Sequence, residues 1–179
     1  MAVDVRPPIM ALDLSLTATG CAGVPSVDEP VSLRTVSSSF TGVERLCDLL
    51  DLVLAFVEFH DPVLVAIEDL PPIRANAIGA LGMLHGAVRV ALHRSGIDLA
   101  FVPPASLKKY ATGRGNATKP DMRMALYQRA GLDLRDDNQV DAWWLAAMAA
   151  DAAGVPLVTV PAAQRAALEK VVWPEGWCS

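Results

Sequence analysis

The sequence predicts an α/β domain of three layers, a mixed five-stranded sheet with helices on both faces. Three observations carry this reading. Short apolar runs of strand length alternate with longer segments of helical periodicity. The first three strand candidates follow one another with no helix between them, so the sheet begins as a meander and continues through helix-linked strands. The 179 residues, 53% hydrophobic with a mean hydropathy of +0.34, suffice for one domain with a substantial core.

The elements follow in order. Ile9 to Asp13 is a short apolar run that ends in an acid and reads as a buried strand. Gly20 to Val24 and Val31 to Ser37 are the next two strands, joined by a "PSVDEP" turn. Val43, Leu46, Leu50, Val53 and Val57 recur at helical spacing, which predicts a helix from Val43 to Phe59. Val63 to Ile67 is a second buried strand, followed at once by Glu68. Ala75 to Arg94 is a long helix, and Leu99 to Val102 a short strand stopped by Pro103 and Pro104. One or two helical turns from Ser106 to Tyr110 precede helices at Lys119 to Ala130 and Asp137 to Ala153, the last two separated by "GLDLRDD". The whole chain, 1–179, reads as a single domain with a core at about 9–155 and a tail at 156–179. The closing "VVWPEGWCS" is expected to pack its Trp173 without regular structure.

Composition narrows the function. No apolar run reaches the roughly 20 residues that span a bilayer, and "MAVDVRPPIM" carries no signal-peptide pattern, so a cytoplasmic protein with no membrane partner is expected. Cys21, Cys47 and Cys178 are odd in number and far apart, which indicates neither a disulfide framework nor a zinc site. His60, His85 and His93 show no metal-ligand pattern and read as surface or helix-face residues. The net charge of −5 and pI of about 5.1 argue against a nucleic-acid binder when taken alone. The distribution argues otherwise. Between Pro104 and Ala130 lie Lys108, Lys109, Arg114, Lys119, Arg123 and Arg129, against the single acid Asp121. A basic segment in an acidic protein can hold a polyanion.

The acids are placed tellingly. Asp13 ends one apolar strand, Glu68 ends another, and Asp141 sits inside the first turns of an apolar helix. Taken singly, Asp13 suits a turn, Glu68 an ion pair with Arg74, and Asp137 a helix N-cap. Taken together, they can converge at one sheet edge. Ionised carboxylates are expensive to bury unless paired or bound to metal, and like charges in contact raise one another's pKa until a cation neutralises them. Mg²⁺, or Mn²⁺ in its place, is the hard oxygen-seeking ion for such a site. Two ions about 3.5–4 Å apart would suit an in-line displacement at phosphorus. Gly113 and Gly115 let the backbone approach a phosphate, with Lys108 and Lys119 bracketing them.

Four motifs in register resemble the RuvC family of Holliday-junction resolvases, which has the ribonuclease H-like fold. They are "IMALDLSLTATG" with Asp13 and Thr19-Gly20, "VAIEDL" with Glu68, "PASLKKYATGRGNATK", and "DDNQVDAWWLA" with Asp141. Compact chains of this kind resemble phage-type or actinobacterial-type relatives. The resemblance implies a Mg²⁺-dependent homodimeric endonuclease that cuts four-way or branched DNA symmetrically, with no nucleotide cofactor. Asp13, Glu68, Asp137, Asp141 and Lys119 are then the catalytic set, with two ions on Asp13, Glu68, Asp141 and either Asp137 or Asn138. The DNA-contacting set is Arg74, Lys108, Lys109, Gly113, Arg114, Gly115 and Lys119. Charge favours Asp137 as the fourth ligand, family register favours Asn138, and Asp136 is left to cap the helix. The chain departs from the family at Leu14-Ser15 and in "DLPPIRANA", which has no aromatic to prop a junction open. Gly79, Gly82 and Gly86 form a small-residue face expected at the two-fold interface. Two competing readings are an actin-like ATPase domain, for which the chain is far too short, and a non-catalytic branched-DNA-binding relative, against which the retained acids argue.

Overall fold

A computed structural model describes residues 6–26, 29–70 and 79–177. Its five strands are β1 (Ile9–Asp13), β2 (Thr19–Val24), β3 (Ser32–Val36), β4 (Leu64–Glu68) and β5 (Asp98–Val102). They lie in the order β3-β2-β1-β4-β5. The first three form the antiparallel meander, and β4 and β5 add in parallel beside β1. The helices are α1 (Gly42–His60), α2 (Gly79–Arg94), α3 (Pro104–Thr112), α4 (Lys119–Ala130), α5 (Asp137–Ala152) and the single turn α6 (Ala162–Arg165).

Alternation along the strands divides the core in two. Met10, Leu12, Cys21, Val65 and Ile67 point to one face and pack with Leu49, Val53, Leu84 and Val88 of α1 and α2. Ile9, Ala11, Ala22, Leu64, Ala66 and Ala100 point to the other, where α5 lies flat on β1 and β2. The small residues Ala142, Ala146, Ala149 and Ala150 allow that close approach. So β1 and β4 are buried on both faces, as apolar strands of the parallel part of a sheet must be.

Each helix near the sheet's carboxyl edge is locally fixed. Pro104 opens α3, because proline at the first helical position gives up an amide that has no partner there. Thr118 and Asp121 close a reciprocal capping box on α4. Asp136 caps α5: its Oδ1 accepts the Asn138 amide at 2.9 Å, and its Oδ2 accepts the Thr35 hydroxyl from β3. The Trp144 indole donates to the Met122 carbonyl at 3.1 Å and ties α4 to α5.

The structure departs from the sequence reading in a few elements. Proline does stop β5, but the helix after it is longer than one or two turns and begins at Pro104. The tail is more ordered than expected: α6 and a 3₁₀ turn at Ala166–Lys170 fold against α3. Arg165 is drawn onto buried Asp151 at 2.9 Å, and Asp151 also accepts the Tyr110 hydroxyl at 3.0 Å. Trp173 packs on the core as anticipated, while its neighbour Val172 bridges to Phe101 of β5. The part of the second helix expected at 75–78 lies outside the described residues.

Candidate active site

Asp13 and Glu68 meet because of strand register. In the parallel pair Leu12 stands beside Ile67, so the next residue on each strand, Asp13 and Glu68, are neighbours on the same face. This is the carboxyl end of the parallel strands, where open α/β sheets place their ligands. Across β1, Asp13 pairs with Gly20 of β2. A Cβ on Gly20 would lie 2.1 Å from the Asn138 carbonyl oxygen, so only glycine lets the first turn of α5 settle there. That close approach brings Asp141 into the electrostatic field of Asp13 and Glu68. Thr19, fully buried, pins the turn that follows Asp13: its hydroxyl donates to the Ser15 carbonyl at 2.9 Å and accepts the Ser15 amide at 3.0 Å.

The electrostatics are those of anions held together. Burial, the charge of Asp13, a side-chain hydrogen bond with Asp13 and the charge of Asp141 push the Glu68 carboxyl up to about 9, against the pull of Lys108. Burial also raises Asp13, opposed by that hydrogen bond and by Lys119. Both carboxyls are raised and joined by a side-chain hydrogen bond, which requires one proton held between the two. Burial and the charges of Asp13 and Asp137 lift Asp141 to about 7, with Lys119 and Lys108 opposing.

This donor set fits a hard divalent cation. Two carboxylates are reduced to one proton between them and a third is half neutralised at physiological pH. A cation would replace the proton and supply the charge that the lysines only partly provide. Asp13, Glu68 and Asp141 are the residues that would hold it. As the side chains stand, no three His, Cys, Asp or Glu groups among the described residues enclose an ion. Asp13 and Glu68 are turned onto each other, joined by a side-chain hydrogen bond.

The remaining expected residues are placed less uniformly. Asp137 lies in ion pairs with Arg123 at 2.7 Å and Lys119 at 3.7 Å. Asn138 turns its amide to Asp136, Nδ2 donating at 2.9 Å. Lys108 and Lys119 reach the cluster through charge, Lys109 is exposed on α3, and Arg114 is paired with Asp121 at 3.0 Å. Gly113 caps α3 at φ 86°, a left-handed conformation that favours glycine. Gly115 sits where a Cβ would come 3.3 Å from the Ala105 carbonyl. Arg74 lies outside the described residues.

One group was missed. A cleft of about 220 Å³ is lined by Asp13, Leu14, Glu68, Asp69, Leu70 and His85, among others. His85 of α2 is 3% exposed, so it is a buried helix-face residue and not a surface one. Its partner Arg89, one turn on, reaches Asp69 at 2.8 Å. The i, i+4 spacing of His85 and Arg89 and the acid directly after Glu68 were the available signals. A larger hollow, about 620 Å³ around Asp61 and Gly96, lies by the opposite ends of β4 and β5.

A family model described as crossover junction endodeoxyribonuclease RuvC matches residues 9–153. The crossover junction endodeoxyribonuclease RuvC of Synechococcus sp. (strain CC9311) is 27% identical over 101 residues, which is 55% of this chain and 63% of that protein. That of Corynebacterium jeikeium (strain K411) is 29% identical over 131 residues, 69% of this chain and 80% of that protein. A Thermus thermophilus RuvC structure superposes with a TM-score of 0.64 at 22% identity, covering 85% of this chain and 99% of that one. RuvC of the same organism in complex with Holliday junction substrate gives 0.63 at 23% identity, covering 79% and 91%. At these identities the superpositions bear on the fold, which is the ribonuclease H-like arrangement of a mixed sheet between helices.

Proposed function

The chain belongs to the RuvC family of crossover junction endodeoxyribonucleases, and from that membership we propose that it is a Mg²⁺-dependent DNA endonuclease that resolves four-way junctions as a homodimer. The observation that carries the proposal is the meeting of Asp13, Glu68 and Asp141 at one sheet edge, two of them reduced to a shared proton. Acids placed so are unfavourable for the fold, and a divalent cation held by them would offset that cost.

The cation, when bound, would activate water and stabilise the departing 3′ oxygen of a phosphodiester. The chain's own residues supply the rest. Asp13, Glu68 and Asp141 would hold the cations, with Asp137 or Asn138 as the fourth candidate. Lys119, 63% exposed and 3.7 Å from Asp137, lowers Asp13 and Asp141 through its charge and would offer a cation to a phosphate brought to these acids. Lys108, Lys109 and the loop at Gly113 and Gly115 extend the positive surface to flanking phosphates, which position DNA without reading its sequence. Resolution requires two symmetric nicks, hence two sites related by a two-fold axis. A face of α2 supports that pairing: Gly79 and Gly86 are exposed, with Met83 63% exposed between them and Val90 53% exposed one turn beyond.

The test is cleavage of an end-labelled four-way junction with and without Mg²⁺, alongside Asp13→Asn and Asp141→Asn. Wild type should nick opposite strands in the metal's presence, and each variant should lose most cleavage while still retarding the junction in a gel. Wild-type rates in Asp13→Asn would refute the site. Junction binding without cleavage by the wild type would instead identify a non-catalytic relative.

A further inference from the structure

The cleft beside Asp13 and Glu68 holds a side chain that the carboxylate chemistry leaves unused. His85 enters it from α2, which packs on the other face of the sheet from α5. Its Nδ1 lies 3.4 Å from Arg89 Nη2. A guanidinium offers only N–H groups, so Nδ1 must be the acceptor in this pair and the ring proton sits on Nε2. Arg89 is itself immobilised, ion-paired to Asp69 at 2.8 Å and with its guanidinium carbon 4.0 Å from the centroid of the Phe101 ring. Asp69 is anchored in turn, its amide donating to the Val102 carbonyl at 2.8 Å. The tautomer and the ring's orientation are thus set by a chain of interactions running from β5 to α2. Among the described residues, Nε2 has no hydrogen-bond partner.

We propose that His85 is a further substrate-contacting residue of this nuclease, its Nε2–H donating to a non-bridging oxygen of the scissile phosphate. The assignment rests on the endonuclease reading above. Its chemistry suits a site that also takes divalent cations. A lysine or arginine in this cleft would compete with the metal for Asp13 and Glu68. A neutral imidazole adds a donor without adding charge. Burial and the neighbouring Arg89 charge hold the ring neutral, with its pKa lowered to about 4. With its Nδ1 lone pair engaged by Arg89, the ring is directed to donate and not to ligate.

Single-turnover cleavage tests this on junctions carrying an Rp or Sp phosphorothioate at the scissile position, with junction affinity measured separately in EDTA. His85→Ala should slow cleavage by about 10- to 100-fold, the range of a hydrogen bond to a charged group, at near-wild-type affinity. His85→Gln retains an N–H donor and should recover much of that loss. Sulfur is a poor acceptor, so the diastereomer that places sulfur at His85 should slow wild type but have little further effect in His85→Ala, while the other keeps its effect in both proteins. His85→Ala cleaving within about twofold of wild type would overturn the proposal. So would equal thio effects in wild type and variant for both diastereomers, which would leave His85 a packing residue. A wild type that does not cleave at all would fail the endonuclease reading itself.

Discussion

Replacing Glu68 by Gln should stabilise the metal-free protein, by an amount that depends on pH. In the folded chain the Glu68 carboxyl is pushed up to about 9, whereas its ordinary value is 4.5. Below pH 4.5 folded and unfolded chains both hold the proton, and the charge makes no difference. Between 4.5 and 9 the unfolded chain ionises while the folded one does not, so stability falls by about 1.4 kcal/mol per pH unit. At pH 7 the accumulated loss is about 3 kcal/mol, two and a half units above the ordinary value. Glutamine keeps an N–H to donate to Asp13 and has no proton to lose. In EDTA, wild type and Glu68→Gln should therefore unfold at similar temperatures near pH 4 and separate by roughly 6–12 °C at pH 7, at 2–4 °C per kcal/mol for a chain of this size. Mg²⁺ should close the gap from the wild-type side, since it binds the folded state and favours two carboxylates over one. Calorimetry across pH, with and without metal, measures both effects. A gap that is constant with pH, or a variant less stable than wild type at pH 7, would refute the shared-proton account of the site.

Other expectations follow from the same geometry. Lys119→Ala and Lys109→Ala should weaken junction binding, and removal of each lysine–phosphate interaction should flatten the log–log salt dependence by about 0.9; titrations at several salt concentrations read this directly. Gly86→Glu should leave the subunit folded, because a Cβ there meets nothing within 4 Å, yet shift sedimentation from dimer towards monomer and abolish paired nicking. Asp137→Asn should raise the Mg²⁺ concentration for half-maximal cleavage more than Asn138→Ala does, and Arg123→Gln, by releasing Asp137 from its 2.7 Å ion pair, should lower it. Asn138→Ala as the more damaging change, with Asn138→Asp enhancing activity, would make Asn138 the ligand.

Much of this fold is legible in the sequence because the sheet writes its boundaries in hydrophobicity. β1 and β4 are buried on both faces, so each is an unbroken apolar run, and the acid that ends each run marks where the sheet meets solvent. That feature put Asp13 and Glu68 where they could converge at one edge. Register then made them neighbours, which hydrophobicity cannot specify. The parts that were misjudged depend on interactions between segments far apart in sequence. α6 has no helical periodicity of its own and is held by Arg165 reaching Asp151. Asp151 lies near the end of an alanine-rich helix, and Tyr110 and Arg165 together make its burial tolerable. His85 is buried through Arg89, Asp69 and Phe101, three residues on three separate segments.

The acidic mouth of α5 shows why periodicity could not sort the acids by role. Asp137, Asn138 and Asp141 share a helical face, and spacing treats them as equivalent. The surroundings separate them. Asp136 caps the helix and fastens it to β3 through Thr35. Asp137 is pulled toward α4, where Arg123 and Lys119 satisfy it. Asn138 is held close to β2 because its carbonyl presses on Gly20, and its side chain is bonded back to Asp136. Asp141, one turn further in, has lost most of its solvent and titrates near 7 beside Asp13. The capping acid and the paired acid both have partners that the protein provides. Asp141 is left with lysines that only partly lower its pKa, as is Glu68. Incomplete neutralisation by the chain itself, and not position on the helix, is what singles out Asp141 and Glu68 as the proposed cation ligands.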